Sequence, residues 1–168
     1  LNVLADELQK ETNSAALDER AMFNAVTGVA SRVKGSYAVV SLIAGYGLLA
    51  FRDPFGIRPL CIGRIDTAQG PEWMVASESV ALEGLGFTFV RDVNPGEAIY
   101  IDLDGNFYAR QCVANAVLTP CIFEYVYMAR PDSTIDGVTV YNVRMRMGDY
   151  LAEKIRKETN VNEIDVVM

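Results

Sequence analysis

Between residues 36 and 111 the chain is a succession of short apolar segments, cut at close intervals by Gly, Pro, Asn and Asp. That texture predicts consecutive antiparallel strands, at 36–43, 47–52, 59–64, 73–77, 97–102 and 106–111. Asp104-Gly105 between the last two is a hairpin signal, residues 44–46 turn the first pair, and Asn94-Pro95-Gly96 is a turn ahead of EAIYIDL.

Helices flank this region. Apolar residues at Leu1, Leu4, Ala5 and Leu8, then at Met22, Val26, Val29 and Val33, keep helical spacing and predict helices over 1–12 and 18–33, the second capped by Asp18. SESVALEGLG, 77–86, predicts a short helix with Ser77 as its cap, Glu78 in the first turn and Gly86 closing it. Residues 1–111 thus define an α+β layout, antiparallel strands covered by helices. After residue 112 the texture turns irregular, a helix follows over 141–158, and IDVVM, 164–168, reads as a buried strand opening an α/β unit with a parallel sheet. Residues 36–111 are expected to form a compact core, with the segment after about 120 less well anchored.

Composition narrows the functional classes. A chain of 168 residues suits one domain, or one domain and part of another. The longest apolar run, 37–51, is interrupted by Ser41, Gly45 and Gly47, so no membrane span is expected, and LNVLADELQKE lacks the basic front of a signal peptide. A net charge of −7 argues against a nucleic-acid partner, and a cytoplasmic location is expected. The three cysteines, Cys61, Cys112 and Cys121, form no CxxC, and there is no histidine. That excludes the usual zinc constellations and any Ser-His or Cys-His nucleophile pair within the chain. The cysteines read as small buried hydrophobes.

The densest local pattern is FRDPFGIRPL, 51–60. Pro54 fixes one dihedral and Gly56 is free to take positive φ, so the segment reverses tightly. It reads either as a connection, with Asp53 accepting backbone hydrogen bonds and Arg52 and Arg58 pairing with carboxylates, or as part of a ligand site.

FRDPFGIRPLCIGR, then MVASESVALEGLGFTFVRDVNPGEAIYI, then CIFEYVYMARPDSTIDGVTVYNVRMRMGDYLAEKI resemble the glutamine phosphoribosylpyrophosphate amidotransferase family, in one order and without a large insertion. The first strings occur in other class II glutamine amidotransferases as well; the ARPDS string is narrower. The resemblance implies an N-terminal-nucleophile hydrolase fold of stacked antiparallel sheets between helical layers. Residues 1–115 would be the second half of the glutaminase domain, and 116–168 the junction and first helix and strand of a phosphoribosyltransferase domain. It implies an enzyme that moves ammonia from glutamine to phosphoribosylpyrophosphate, giving 5-phosphoribosylamine, the first step of de novo purine synthesis, as a homo-oligomer with Mg in its transferase domain.

Carried over residue by residue, the resemblance assigns no catalytic, substrate-binding or metal-ligating residue here. The family's nucleophile is a cysteine at the mature N-terminus, whereas this chain begins with Leu and has no cysteine near it; the family's glutamine-holding segments and two-aspartate phosphate loop have no counterpart either, so the chain alone is expected to be inactive. Phe123 and Tyr127 match aromatic positions that wall the family's ammonia route, and in an extended strand 123, 125 and 127 would share one face. Ordinary packing between domains is the other reading of both. Arg130, Pro131, Asp132 and Ser133 match the junction between domains. Cys121 matches a position that ligates an iron–sulfur cluster in one branch, although its surroundings resemble the branch without it. The alternatives are another class II enzyme, of asparagine synthetase or glucosamine-phosphate synthase type, and a non-catalytic binding module with this fold.

Overall fold

The computed structural model describes residues 1–12 and 17–166. Two helices open it, α1 (Asn2–Thr12) and α2 (Glu19–Arg32), close to their expected bounds. Asp18 caps α2 as its sequence position suggested, its carboxylate accepting from the Ala21 N–H at 2.8 Å. The helices pack on each other, and Glu7 is buried between them, taking Lys10 and Arg32 at 2.6 Å each. Those two cations hold its carboxyl below the ordinary range.

The strands form two sheets. The first, in the order β1-β2-β6-β7, is built from β1 (Ala38–Ile43), β2 (Gly47–Arg52), β6 (Glu97–Asp102) and β7 (Phe107–Gln111). The second, β4-β3-β5, is an excursion inserted between β2 and β6: β3 (Cys61–Thr67), β4 (Gly70–Ala76) and β5 (Thr88–Asp92). All neighbouring pairs are antiparallel. The central strands β2 and β6 are buried on both faces. Leu49, Phe51, Ala98 and Tyr100 meet α1 and α2, while Ala50, Ile99 and Ile101 meet Leu60, Ile62 and Val93 below. Each large side chain so buried is worth about 1.5–3 kcal/mol. A short helix α3 (Ser79–Gly84) covers the outer face of the second sheet, its fully buried Leu82 lying over Gly63. The layers run helix, sheet, sheet, helix.

Three expectations need correction here. Residues 88–92 are a strand, although the sequence reading assigned none to them. Thr88 and Val90 face outward, and the strand pairs with β3 across a bulge at Ile62 and Gly63, not with a neighbour in sequence. Ser77 does not cap α3. Glu78 occupies the N-cap position with extended dihedrals and makes no cap bond, because its carboxylate is turned towards residues 130 and 133. Residues 164–166 of IDVVM are irregular, with Val166 exposed and no strand beside them; 167 and 168 lie outside the described residues.

After β7 the backbone runs beside the 51–60 segment, with N–H groups of Val117, Thr119 and Cys121 donating to the carbonyls of Pro54, Phe55 and Ile57. A π-helical turn (Glu124–Met128), a two-residue hairpin of β8 (Thr134–Ile135) and β9 (Val138–Thr139), and α4 (Val140–Glu158) follow. A small core of Tyr125, Ala129, Ile135 and Val140 joins them. The segment 120–140 is therefore anchored more firmly than expected, while along α4 Val140 is the one buried residue.

Candidate functional site

Asp53 has no exposed surface, and its carboxylate accepts from the N–H groups of Tyr37, Phe55, Ile57 and Arg58 at 2.9–3.3 Å. It shapes the reversal rather than facing a ligand. Gly56 sits at φ +59, and a Cβ there would press on Pro95, Leu118 and the Arg52 guanidinium, so the loop closes only around glycine. Arg52, 2% exposed, uses all five of its N–H donors: on the carbonyls of Gly56, Arg58 and Val93, and on both oxygens of Asp136 at 2.7 and 2.9 Å. The connection reading of this segment holds, arginine pairs included.

Asp136 reaches Arg52 because Asp136 and Gly137, at φ +49 and +75, form the tight turn between β8 and β9. Both central residues at positive φ is the primed hairpin geometry that Asp-Gly favours. Asp136-Gly137 is the same dipeptide signal as Asp104-Gly105.

Three further links join the β-sheet body to the segment after 120. Arg58 pairs with the buried carboxylate of Glu124 at 2.6 Å. Glu78 accepts from the Arg130 N–H at 2.8 Å and from the Ser133 hydroxyl at 2.6 Å. Ser79 Oγ accepts from the Thr134 N–H at 3.0 Å. Of the four residues expected at the junction, Arg130 and Ser133 bond to Glu78 of the β-sheet body; Asp132 pairs with Arg130 on the surface, and the Pro131 carbonyl accepts from the Tyr141 N–H. Glu78, Ser79 and Asp136 were missed. Arg58, Glu78, Glu124, Tyr37 and Met128 line an open cleft of about 500 Å³ where these motifs meet.

The aromatic positions are arranged differently from the strand expectation. Residues 124–128 are helical, so Phe123 and Tyr127 share an exposed side at 63% and 82% exposure, while Tyr125 points into the core. Consecutive residues 124 and 125 are both buried, one reaching Arg58 and the other donating to the Ile135 carbonyl. A strand would send these two side chains to opposite faces; here the backbone is a helical turn, closed by the Ala129 N–H on the Glu124 carbonyl at 2.9 Å.

Cys61 is buried beside Asp92, and burial foremost pushes its thiol up to about 12 from 9.0. An unfolded thiol would release its proton first, so this stabilising contribution is complete below pH 9.0 and is lost as pH rises towards 12. Urea midpoints are expected to fall more steeply with pH above 9.0 in the wild type than in Cys61→Ala; parallel curves would contradict this. Among the described residues no group of three His, Cys, Asp or Glu side chains could hold a metal, so Cys121 has no cluster partners there. No helix among them is long and apolar enough to cross a membrane.

The four-layer stack with two central antiparallel sheets defines an N-terminal-nucleophile hydrolase-type domain. It superposes on a glutamine phosphoribosylpyrophosphate amidotransferase from B. subtilis, solved with ADP and GMP, with a TM-score of 0.72 and 31% identity over 90% of this chain and 31% of that one. Over its whole length the chain matches amidophosphoribosyltransferases: 52% identical to that of Pasteurella multocida and 50% to that of Escherichia coli, covering 100% of this chain and 33% of each relative. It spans about a third of the length of the relatives it matches. No family model matches the chain.

Proposed function

We propose that the chain is part of an amidophosphoribosyltransferase, an enzyme that hydrolyses glutamine and passes the ammonia to phosphoribosylpyrophosphate, where it displaces pyrophosphate to give 5-phosphoribosylamine. The whole-length match at about half identity carries this reading. Residues 1–115 supply the second half of the glutaminase domain and 116–168 the junction with the transferase domain. The protein works in the cytoplasm as a homo-oligomer. Among the described residues no cluster of carboxylates fits a magnesium site. What this chain contributes is the junction, with its side chains holding the two parts in register.

The exposed pair Phe123 and Tyr127 walls the ammonia route in this reading. Neutral ammonia must be kept from water and from protonation, which an aromatic wall does. The test is the full-length protein supplied with glutamine and phosphoribosylpyrophosphate, with glutamate and phosphoribosylamine measured side by side. Stoichiometric formation of both supports the reading, and absence of phosphoribosylamine overturns it. In Tyr127→Ala, glutamine hydrolysis is expected to persist with less phosphoribosylamine per glutamate. A one-to-one ratio with a lowered melting temperature would instead make Tyr127 a packing residue.

A further inference from the structure

The turn that carries Tyr127 is short, and its own sequence does little to hold it. Phe123 at its N-cap position makes no side-chain cap bond, and a five-residue π-helical turn leaves carbonyls unpaired at its end. Those carbonyls are taken from outside. Arg144, on the first turns of α4, donates from Nε to the Tyr125 carbonyl at 2.8 Å and from Nη2 to the Ala129 carbonyl at 2.7 Å. At the start of the turn the buried Glu124 is held by Arg58, at the far side of the junction, at 2.6 Å. One end of the turn is thus fastened to the β-sheet body and the other to α4. Along α4 only Val140 and Val143 share in the small core, and the residues beyond are mostly exposed.

We propose that Arg144 and the Arg58–Glu124 pair are positioning residues that set the orientation of the turn bearing Phe123 and Tyr127. The inference rests on the reading of that turn as part of the ammonia route. The forked guanidinium of Arg144 spans two carbonyls at once, which a lysine ammonium on a flexible stem cannot do with the same geometry. Without it, the turn keeps the Ala129 N–H bond to the Glu124 carbonyl at 2.9 Å but loses the restraint on its direction. Tyr127, already at the solvent side, is then free to swing.

The experiment uses the full-length protein, with Arg144→Met, Arg144→Lys and Glu124→Gln, and compares two nitrogen sources. With glutamine, phosphoribosylamine formed per glutamate is expected to fall by roughly two- to tenfold in Arg144→Met and Glu124→Gln, less than the roughly hundredfold that a 1 Å misplacement of reacting groups can cost, because the turn walls the route without reacting. Arg144→Lys should lie between these and the wild type. With free ammonium salt, which bypasses the route, the rate should stay close to that of the wild type. An unchanged ratio overturns the proposal, and so does a parallel fall in the ammonium-dependent rate, which marks general unfolding. Amide exchange at residues 125–129 gives a readout that does not depend on the reaction. Faster exchange there in Arg144→Met, with α2 unchanged, supports positioning, and unchanged exchange overturns it. A wild-type protein that makes no phosphoribosylamine from either source would sink the functional reading, leaving the positioning claim to be decided by exchange.

Discussion

Replacing Asp136 with alanine is expected to lower the stability of the chain by about 3–5 kcal/mol, because it leaves a buried guanidinium without its counter-ion. The Arg52 side chain is 1% exposed and the Asp136 side chain 8%, so water is poorly placed to take over. Three carbonyls would remain on Arg52, leaving two of its five N–H donors and its charge without a partner. Asp92 moderates the loss. Its carboxyl is pushed up chiefly by burial and next by the Asp136 charge, so removing Asp136 favours ionisation of Asp92 near Arg52. The backbone adds a second effect: Asp136 sits at φ +49, where Ala is strained but Asn and Gly are not. Denaturant midpoints should therefore rank wild type above Asp136→Asn, and Asp136→Asn above Asp136→Ala, with Asp136→Gly recovering only the backbone part. A loss below about 1 kcal/mol in Asp136→Ala, the size of an exposed pair, would mean that the pair is hydrated in solution.

That ion pair also marks the limit of what was legible beforehand. The 51–60 segment could be read closely because much of its structure is local: the Asp53 carboxylate takes the N–H groups of Phe55, Ile57 and Arg58 within five positions, and that of Tyr37 from farther away. The same holds for the Asp18 cap and for the α1 and α2 spacing. The α+β class followed from turn residues at fixed intervals. The identity of each arginine's partner did not, because Asp136 and Glu124 lie far along the chain and nothing in the periodicity points to them. Strand β5 was missed for a related reason, since its pairing is with β3 across an intervening strand and helix. The helical turn at 124–128 was misread because FEYVY has the β-propensity of a strand, while the bonds that close and hold the turn come from Ala129 and from Arg144 farther along the chain. Tertiary contacts overrode local preference at the place where the two parts of the chain join.

Glu78 is the residue on which the second large effect should fall. Its carboxylate is shared by the Arg130 N–H and the Ser133 hydroxyl, and Ser133 has no exposed surface. Glu78→Ala is expected to cost about 2–3 kcal/mol, since it leaves a buried hydroxyl and a backbone donor without their acceptor. Ser133→Ala alone should cost less, about 1 kcal/mol, because Glu78 is only half-buried and lines the open cleft, where water can replace the lost bond. The double variant should then be less destabilised than the sum of the two, a coupling of roughly 0.5–2 kcal/mol for groups in direct contact. Additive losses would show that Glu78 acts through the Arg130 N–H alone. Location separates this link from a general packing effect. The loss should appear first as faster amide exchange across residues 129–135, while the Val39 and Leu49 region of the first sheet stays protected. Ser79, whose hydroxyl takes the Thr134 N–H at 3.0 Å, would remain as the last direct bond from α3 to β8, and adding Ser79→Ala to Glu78→Ala should leave the hairpin held by the Arg52–Asp136 pair and the burial of Ile135.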